Sequence, residues 1–346
     1  MLAVPPSAAY LDYIDLRVLC MLFCLMSVVQ GLQHCNLFEV LARKLLSGKR
    51  RSRILMLILV LLPFFASMLV TNDVALITFV PFTILVLNLI GRGKSLAWVV
   101  VLQTLGANLG SMATPVGNPQ NLFLYSRYGL SPGEFFWAVL PVALVSLLCL
   151  GCAALWTRRE TIEVTFHGET QIHNPKLLLL YVILFLLCIL SVFHLLHYGV
   201  LTAVVLACML LFSRRVLLAV DYGLLFTFVC FFIFAGNMGG VAEIRSFLTG
   251  LLDRNAFLSS VLASQVISNV PSAVLLAGFT ENWKALLLGV DVGGLGTPVA
   301  SLASLISLKL YLRAPGARPA YYLGIFTLAN FVGLAVLLPL ALLLLS

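Results

Sequence analysis

Residues Ile54 to Ile90 form a run of thirty-seven positions without a Lys, Arg or Gly, and its one acid, Asp73, sits near the middle. As one straight helix the run would be ~55 Å long, nearly twice a ~30 Å hydrocarbon core. Arg51 and Arg53 precede it, and Arg92 and Lys94 follow it. Cationic flanks stay on the cytoplasmic side of a membrane, so both ends belong on one side. The run therefore has to turn back within the bilayer, and the polar triplet Thr71-Asn72-Asp73 marks the turn. A re-entrant helical hairpin is expected over 54–90.

The triplet has a counterpart. Ser268-Asn269-Val270-Pro271 interrupts a second stretch, 251–279, which should form a hairpin entering from the opposite side. Each tip is followed by a Gly-rich segment ending in Thr-Pro-Val. The first is Ala107-Asn108-Leu109-Gly110-Ser111-Met112-Ala113-Thr114-Pro115-Val116; the second is Val290-Asp291-Val292-Gly293-Gly294-Leu295-Gly296-Thr297-Pro298-Val299. Glycine permits unusual dihedrals and proline removes a donor. Interrupted helices are therefore expected over 95–124 and 286–311, the first broken at Gly106–Gly110 and again at Thr114–Pro119.

Exposed backbone is costly in lipid, and helices broken at matching places in two halves point to a transporter's binding site. The expected fold class is an all-α polytopic membrane protein, an inverted-repeat secondary transporter with two re-entrant hairpins and two interrupted helices. Its first repeat is 1–157 and its second 221–346, with a cytoplasmic loop and two connecting spans over 158–220. The repeat rests on motif order, because Asn72 to Thr114 is 42 residues and Asn269 to Thr297 is 28.

Composition agrees: 62% apolar residues, 10% charged residues and a mean hydropathy of +1.09 exclude an ordinary soluble domain. The net charge of +8 would suit nucleic acid, but its distribution does not. With the spans threaded as above, sixteen of the twenty-one Lys and Arg fall on one side: Arg43, Lys44, Lys49, Arg50, Arg51, Arg53, Arg92, Lys94, Arg158, Arg159, Lys176, Arg214, Arg215, Lys309, Arg313 and Arg318. Positive charge of this pattern orients a chain in the membrane. The partners implied are the lipid bilayer and a small anionic substrate, with no nucleic acid. The expected location is the cell membrane, multi-pass, with basic loops cytoplasmic and the C-terminus outside.

Eight cysteines lie mostly in apolar runs, and even the Cys149–Cys152 pair reads as small hydrophobes. Met1 to Tyr10 hold Pro5 and Pro6 and no basic n-region, so no cleavable signal peptide is expected. No His-Glu metal motif, Gly-x-Ser-x-Gly elbow or phosphate loop suggests an enzyme or a bound cofactor.

Hairpin tips bring helix ends, with their unpaired N–H and C=O groups, to membrane depth. Half-helix N-termini favour an anion, while unwound carbonyls with Ser, Thr and Asn oxygens suit Na⁺. Thr71, Asn72, Asp73, Ser268 and Asn269 are thus candidate Na⁺ ligands. Asn108, Thr114, Asp291 and Thr297 extend the site into the broken helices. Any one motif alone would more often cap or glue helices; four in a two-fold arrangement favour a site. Asp73 and Asp291 are the only carboxylates deep in spans, and an intramembrane acid marks an ion path by default. Either would bind Na⁺ or carry a proton, although Asp291 holds the position of Asn108 and suits a structural role nearly as well. Gln103, Gln120, Asn121, Gln265 and Asn330 are weaker candidates, each alone more often interhelical glue; His194 and His197 read as loop residues, and Glu160, Glu163 and Glu169 as loop charges.

Thr71-Asn-Asp-Val-Ala-Leu, Gly110-Ser-Met-Ala-Thr-Pro-Val-Gly-Asn-Pro-Gln-Asn121 and Ile267-Ser-Asn-Val-Pro-Ser272 resemble the ion transporter superfamily. That group includes arsenite permeases, D-type sodium–proton antiporters, citrate transporters and divalent anion–sodium symporters. The resemblance runs from Ile14 over nearly the whole chain and is nearest to the uncharacterised bacterial anion-permease branch. In the superfamily, two Ser-Asn-Thr tips and two unwound loops bind Na⁺ and a substrate carboxylate. Carried over, the tips are Thr71-Asn72-Asp73 and Ser268-Asn269-Val270. The loops are Gly110 to Asn118, with Thr114 and Gly117, and Gly293 to Pro298, with Gly296 and Thr297. Asp73 and Val270 depart from the family's Thr at the third tip position, as in the arsenite and antiporter branches, and the family's first scaffold helices are missing or shortened. The resemblance implies a homodimer with elevator-like transport domains. The expected function is a secondary active transporter of an inorganic or carboxylate anion coupled to Na⁺ or H⁺. The alternative is a cation–proton (Na⁺/H⁺) antiporter using Asp73.

Overall fold

The computed structural model describes residues 10–156, 161–164 and 170–346. Arg158, Arg159, Glu160 and Glu169, like Met1 to Ala9, lie outside the described residues. Within them are seventeen helices and one two-stranded sheet. Seven of the helices are long and apolar enough to cross a membrane. The chain is an all-α, multi-pass membrane protein.

After the short α1 (Tyr10–Tyr13), α2 (Leu16–His34) starts on the Asp15 carboxylate, which accepts the Val18 N–H at 3.1 Å. The amphipathic α3 (Leu37–Leu46) follows. The basic cluster then forms β1 (Gly48–Arg51), which pairs antiparallel with β2 (Thr161–Val164). That pairing corrects the reading of Glu163 as a loop charge: it lies in a strand, where Lys49 and Glu163 face each other and bring their charges to 3.7 Å.

The thirty-seven-residue run folds as α4 (Ser52–Val70) and α5 (Asn72–Leu89), reversing at Thr71. Gln103 clamps the two arms, donating to the Leu59 carbonyl at 2.7 Å and the Thr83 hydroxyl at 2.8 Å. Both partners stand twelve residues from Thr71, so the arms are antiparallel and in matched register.

The next helix, α6 (Leu96–Ser111), runs unbroken through Gly106–Gly110. The break expected there is absent, because these glycines serve packing. A Cβ on Gly106 would lie 3.1 Å from the Val60 carbonyl oxygen, and one on Gly110 would collide with the backbone of Phe64. Glycine at i and i+4 cuts a groove into which α4 settles. The chain unwinds only over 112–118, before α7 (Pro119–Arg127) and the long α8 (Pro132–Leu155), which begins in a Ser131–Glu134 capping box.

Helices α9 (Pro175–Val192) and α10 (Tyr198–Phe212) pack on α2. Between them, His194 stacks on Tyr125 at 5.4 Å and His197 caps α10 through the Gly199 N–H. The short α11 (Arg214–Leu218) then leads to α12 (Tyr222–Gly239).

The second half repeats the order of the first. α12 starts on Asp221 as α2 starts on Asp15, with the Leu224 N–H at 3.0 Å. α13 (Ala242–Ile267) kinks at Asn255, so the second hairpin's first arm begins at 256 rather than 251. The arms reverse at Ser268 into α14 (Asn269–Leu276), only eight residues long. α15 (Trp283–Val292), an unwound stretch over 293–301, α16 (Leu302–Leu312) and α17 (Pro319–Leu345) complete the chain. Gly289 and Gly293 repeat the spacing of Gly106 and Gly110. Added Cβ atoms there would meet Phe257 and Val261, each eleven or seven residues before the tip, as Val60 and Phe64 are.

Candidate functional site

Two residues in the molecule share one unusual backbone shape. Thr71 has φ 78° and ψ 151°; Ser268 has φ 72° and ψ 156°. This region is essentially reserved for glycine, and each non-glycine residue in it costs about 1–3 kcal/mol. Such strain persists only where the surroundings hold it. Here Asn72 and Asn269 turn back and accept the next N–H, from Asp73 at 2.9 Å and Val270 at 3.0 Å.

The unwound loops brace the tips in the same register. The Thr114 hydroxyl donates to the Met68 carbonyl, and the Thr297 hydroxyl donates to the Gln265 carbonyl at 3.1 Å. Both acceptors lie three residues before their tip. Each loop also ends in an extended cap, Asn118 at φ −140° and Ser301 at φ −142°. Loop carbonyls expected to be free are partly engaged. Asn121 Nδ2 reaches Met112 and Thr114 oxygens at 3.2 and 3.4 Å, and Gln265 Nε2 holds those of Gly293 and Leu295, both at 2.8 Å. Gln265 Oε1 accepts the Thr297 N–H at 2.9 Å, and a Cβ on Gly296 would strike that amide. The glue role read for Asn121 and Gln265 thus includes stiffening the loops. Gly117 packs against the Ser111 and Ser67 carbonyls with no room for a side chain.

The two halves meet at Asn108. Its Oδ1 accepts from Asn72 Nδ2 at 3.0 Å and from Ser301 Oγ at 3.1 Å, joining the first tip to the second loop. Ser268 Oγ and the Asn269 N–H both point at the Ala300 carbonyl, at 3.3 and 3.0 Å. Around this junction several buried polar atoms have no hydrogen-bond partner: Asp73 Oδ1, Asn108 Nδ2, Asn118 Oδ1 and Asp291 Oδ2. Buried polar groups are ordinarily paired, and such a cluster is what a ligand would satisfy.

Asp73 and Asp291 differ in access. Asp73 lines a cavity of about 210 Å³ between the two tips and α12, together with Asn72, Gln120, Ser268, Asn269 and Ser301. It also lines a second cavity, of about 340 Å³, against α2. Asp291, 3% exposed, lines neither, and its Oδ1 is reached by Gln120 Nε2 at 3.4 Å. Among the described residues, no Lys, Arg or His lines the cavity between the tips. Gln120, a weaker candidate in the sequence, lines this cavity, and Ser301 and Thr227 are lining residues that sequence reasoning missed; Ser301 had a signal, since it stands where Asn118 does in the first loop. Among the described residues no group of three His, Cys, Asp or Glu side chains could hold a metal ion.

Comparisons with known proteins bear on this geometry. A family model described as citrate transporter matches residues 1–286. The chain is 30% identical over 301 residues to an uncharacterized transporter of Methanocaldococcus jannaschii, covering 86% of this chain and 81% of that protein. It is 31% identical over 303 residues to the inner membrane protein YbiR of Escherichia coli, covering 86% and 80%. A shorter match, 34% over 145 residues, covers 40% of this chain and 29% of the silicon efflux transporter LSI3 of Oryza sativa.

Proposed function

Because the chain belongs to the citrate transporter family, within the ion transporter superfamily, we propose that this membrane transporter is secondary active and moves a small inorganic or carboxylate anion coupled to Na⁺ or H⁺. The observation that carries the reading is the convergence of two strained tips on one cavity holding an unpartnered carboxylate oxygen and no basic side chain. An anion there would be recognised by the amides of Asn72, Asn269 and Gln120 and by the N-terminal ends of α5 and α14. The ionised Asp73 would repel it. A cation bound at Asp73, Na⁺ or a proton, removes that repulsion, so the anion enters with the cation or not at all. Coupling follows from the charges without any further device.

The location that fits is the cell membrane, since the Escherichia coli relative is an inner membrane protein. Basic loops lie in the cytoplasm, the C-terminus lies outside and the two halves cross in opposite senses, an inverted repeat. The homodimer is proposed with it. Residues 46–52 and 91–94 should label from the same, cytoplasmic side in cysteine accessibility; labelling from opposite sides would remove the first hairpin and the repeat together.

A second reading, the cation–proton antiporter, is favoured by the same absence of a basic clamp for an anion. Proteoliposome uptake of citrate, succinate, arsenite and sulfate, with and without a Na⁺ gradient, separates the two. Gradient-driven accumulation of any of the four supports the symporter. Exchange of Na⁺ for H⁺ with no uptake of any of them establishes the antiporter.

A further inference from the structure

The cavity of about 340 Å³ lies between α2, the first tip and the start of α12. Its polar lining is Gln30, Gln33, Thr71, Asp73, Asn118 and Asp221, and among the described residues no Lys, Arg or His lines it. Asp73 is its only polar link to the cavity between the tips apart from main-chain and apolar neighbours, since Asp73 lines both. Two further observations point to a ligand in it. Asn118, 3% exposed, leaves its Oδ1 unpartnered, and so does Asp73. Asp221 caps α12 at the Leu224 N–H and stays exposed at the cavity wall.

The corresponding place on the other side of the molecule has a different character. A cavity of about 490 Å³ is lined by Asp15, the counterpart of Asp221, but also by Asp12, Arg127 and Arg245. Its wall there includes Phe123 and Phe232, whose rings pack at 5.6 Å. One cavity is therefore purely acidic and reaches a tip carboxylate. The other carries both signs and contacts neither Thr71 nor Ser268.

We infer that the acidic cavity is the cytoplasmic route of the coupling cation, and that Asp221 is the outer carboxylate that gathers the ion for Asp73. The inference rests on the reading of the first tip as an ion site and of the basic loops as cytoplasmic. A cleft lined by one sign of charge between low-dielectric walls raises the local concentration of counter-ions by 10–10³-fold. Gln30 and Gln33 offer amide oxygens along the way, and the absence of a basic side chain leaves anions excluded from this path.

The test reads local charge directly. Gln30→Cys and, separately, Gln33→Cys are made, and methanethiosulfonate reagents of opposite charge are applied from the cytoplasmic face of oriented vesicles. None of the eight native cysteines lines this cavity, so modification is read at the new site by mass spectrometry with the native cysteines in place. The cationic reagent should react at least ~10-fold faster than the anionic one, relative to their rates with a free thiol. Asp221→Asn should shrink that ratio severalfold, because Asn keeps the helix cap while removing the charge. Equal rates, reaction only from the outer face, or a ratio unmoved by Asp221→Asn at both positions would overturn the inference. Its failure is distinguishable from failure of the underlying reading. If Asp73→Asn abolishes coupled flux while the ratio is flat, the tip is an ion site served by another route. If Asp73→Asn leaves flux untouched, the tip reading itself falls.

Discussion

The two hairpins share a skeleton and differ in chemistry. Both reverse at a hydroxyl residue in the same strained conformation, and both are seated on a helix through glycines four residues apart. Both receive a loop threonine on the carbonyl three residues before the tip. The third tip position is Asp73 in one and Val270 in the other, and the paired broken helix carries Asn108 in the first half and Asp291 in the second. One carboxylate has thus been exchanged between tip and helix. The exchange puts the accessible acid on the first tip and the sequestered acid behind the second. A shared skeleton brings the two tips together; on the proposed function, the exchanged carboxylate decides which half handles charge.

The largest expected effect attacks the shared skeleton. Gly110→Ala drives a methyl into the backbone of Phe64, and Gly293→Ala drives one against the Val261 and Ser264 backbone and side chain. Backbone cannot rotate away, and overpacking of this kind costs ~1–3 kcal/mol or more. Neither variant should yield monodisperse protein in size-exclusion chromatography after detergent extraction. Gly106→Ala, with 3.1 Å to one carbonyl oxygen, should lower the yield only partly. Normal yield of Gly110→Ala would mean that the two helices are not in the contact described.

Next comes the exchanged carboxylate. Asp73→Asn should lower coupled flux by ~10–100-fold, the cost of one lost partner at a charged site of ~1.5–3 kcal/mol. Asp291→Asn, which copies Asn108, should leave the cation dependence of flux within ~3-fold, since one neutral amide already fills that place in the other half. Flux measured against Na⁺ concentration and pH also separates the functional readings. A symporter with Asp73→Asn should retain some uptake at high Na⁺, whereas an antiporter should lose flux under every condition. Equal losses at both acids would erase the distinction between the halves.

A smaller difference is expected between the tip amides. Asn72 holds Asn108 and the Asp73 N–H together, while Asn269 makes one firm side-chain contact, to the Val270 N–H. Asn72→Ala should therefore weaken apparent cation affinity by about tenfold and Asn269→Ala by less, the two differing by one hydrogen bond's worth of ~1 kcal/mol. Isotope uptake titrated with the coupling ion would show it. A larger loss at Asn269 would put the ion at the second tip.

The sequence exposes the tips and hides the reasons for their difference. A thirty-seven-residue apolar run between basic flanks has few ways to fold, so its reversal at Thr71 could be read directly. Gly106 and Gly110 were legible as special but not in which sense. Glycine serves a kink and a close approach equally well, and the choice depends on Val60 and Phe64, over forty residues away. The unequal spacing of the motifs has a simple origin. α14 has eight residues where α5 has eighteen, which supplies most of the gap between 28 and 42. From Asn108 to Thr114 and from Asp291 to Thr297 the spacing is the same. Gln265 could not be read as a loop brace, because its partners at Gly293, Leu295 and Thr297 lie about thirty residues on. The strand pairing of 48–51 with 161–164 likewise needs two segments over a hundred residues apart.

The smallest expected effect comes from returning a carboxylate to the second tip. Val270 lines the cavity between the tips but not the acidic cavity, whereas Asp73 lines both. If the tips were equivalent, Val270→Asp would rescue Asp73→Asn, because the charge would be restored to the same central cavity. If position matters, the new acid has no path to the side where Asp73 meets Gln30, Gln33 and Asp221. Val270→Asp alone should then change flux by less than ~3-fold, a cost within the reach of one solvated charge at a cavity wall. In the Asp73→Asn background it should restore nothing. Partial rescue in flux assays, with cation dependence regained, would show that the carboxylate needs only to face the shared cavity, and the two halves would then differ in history rather than in task.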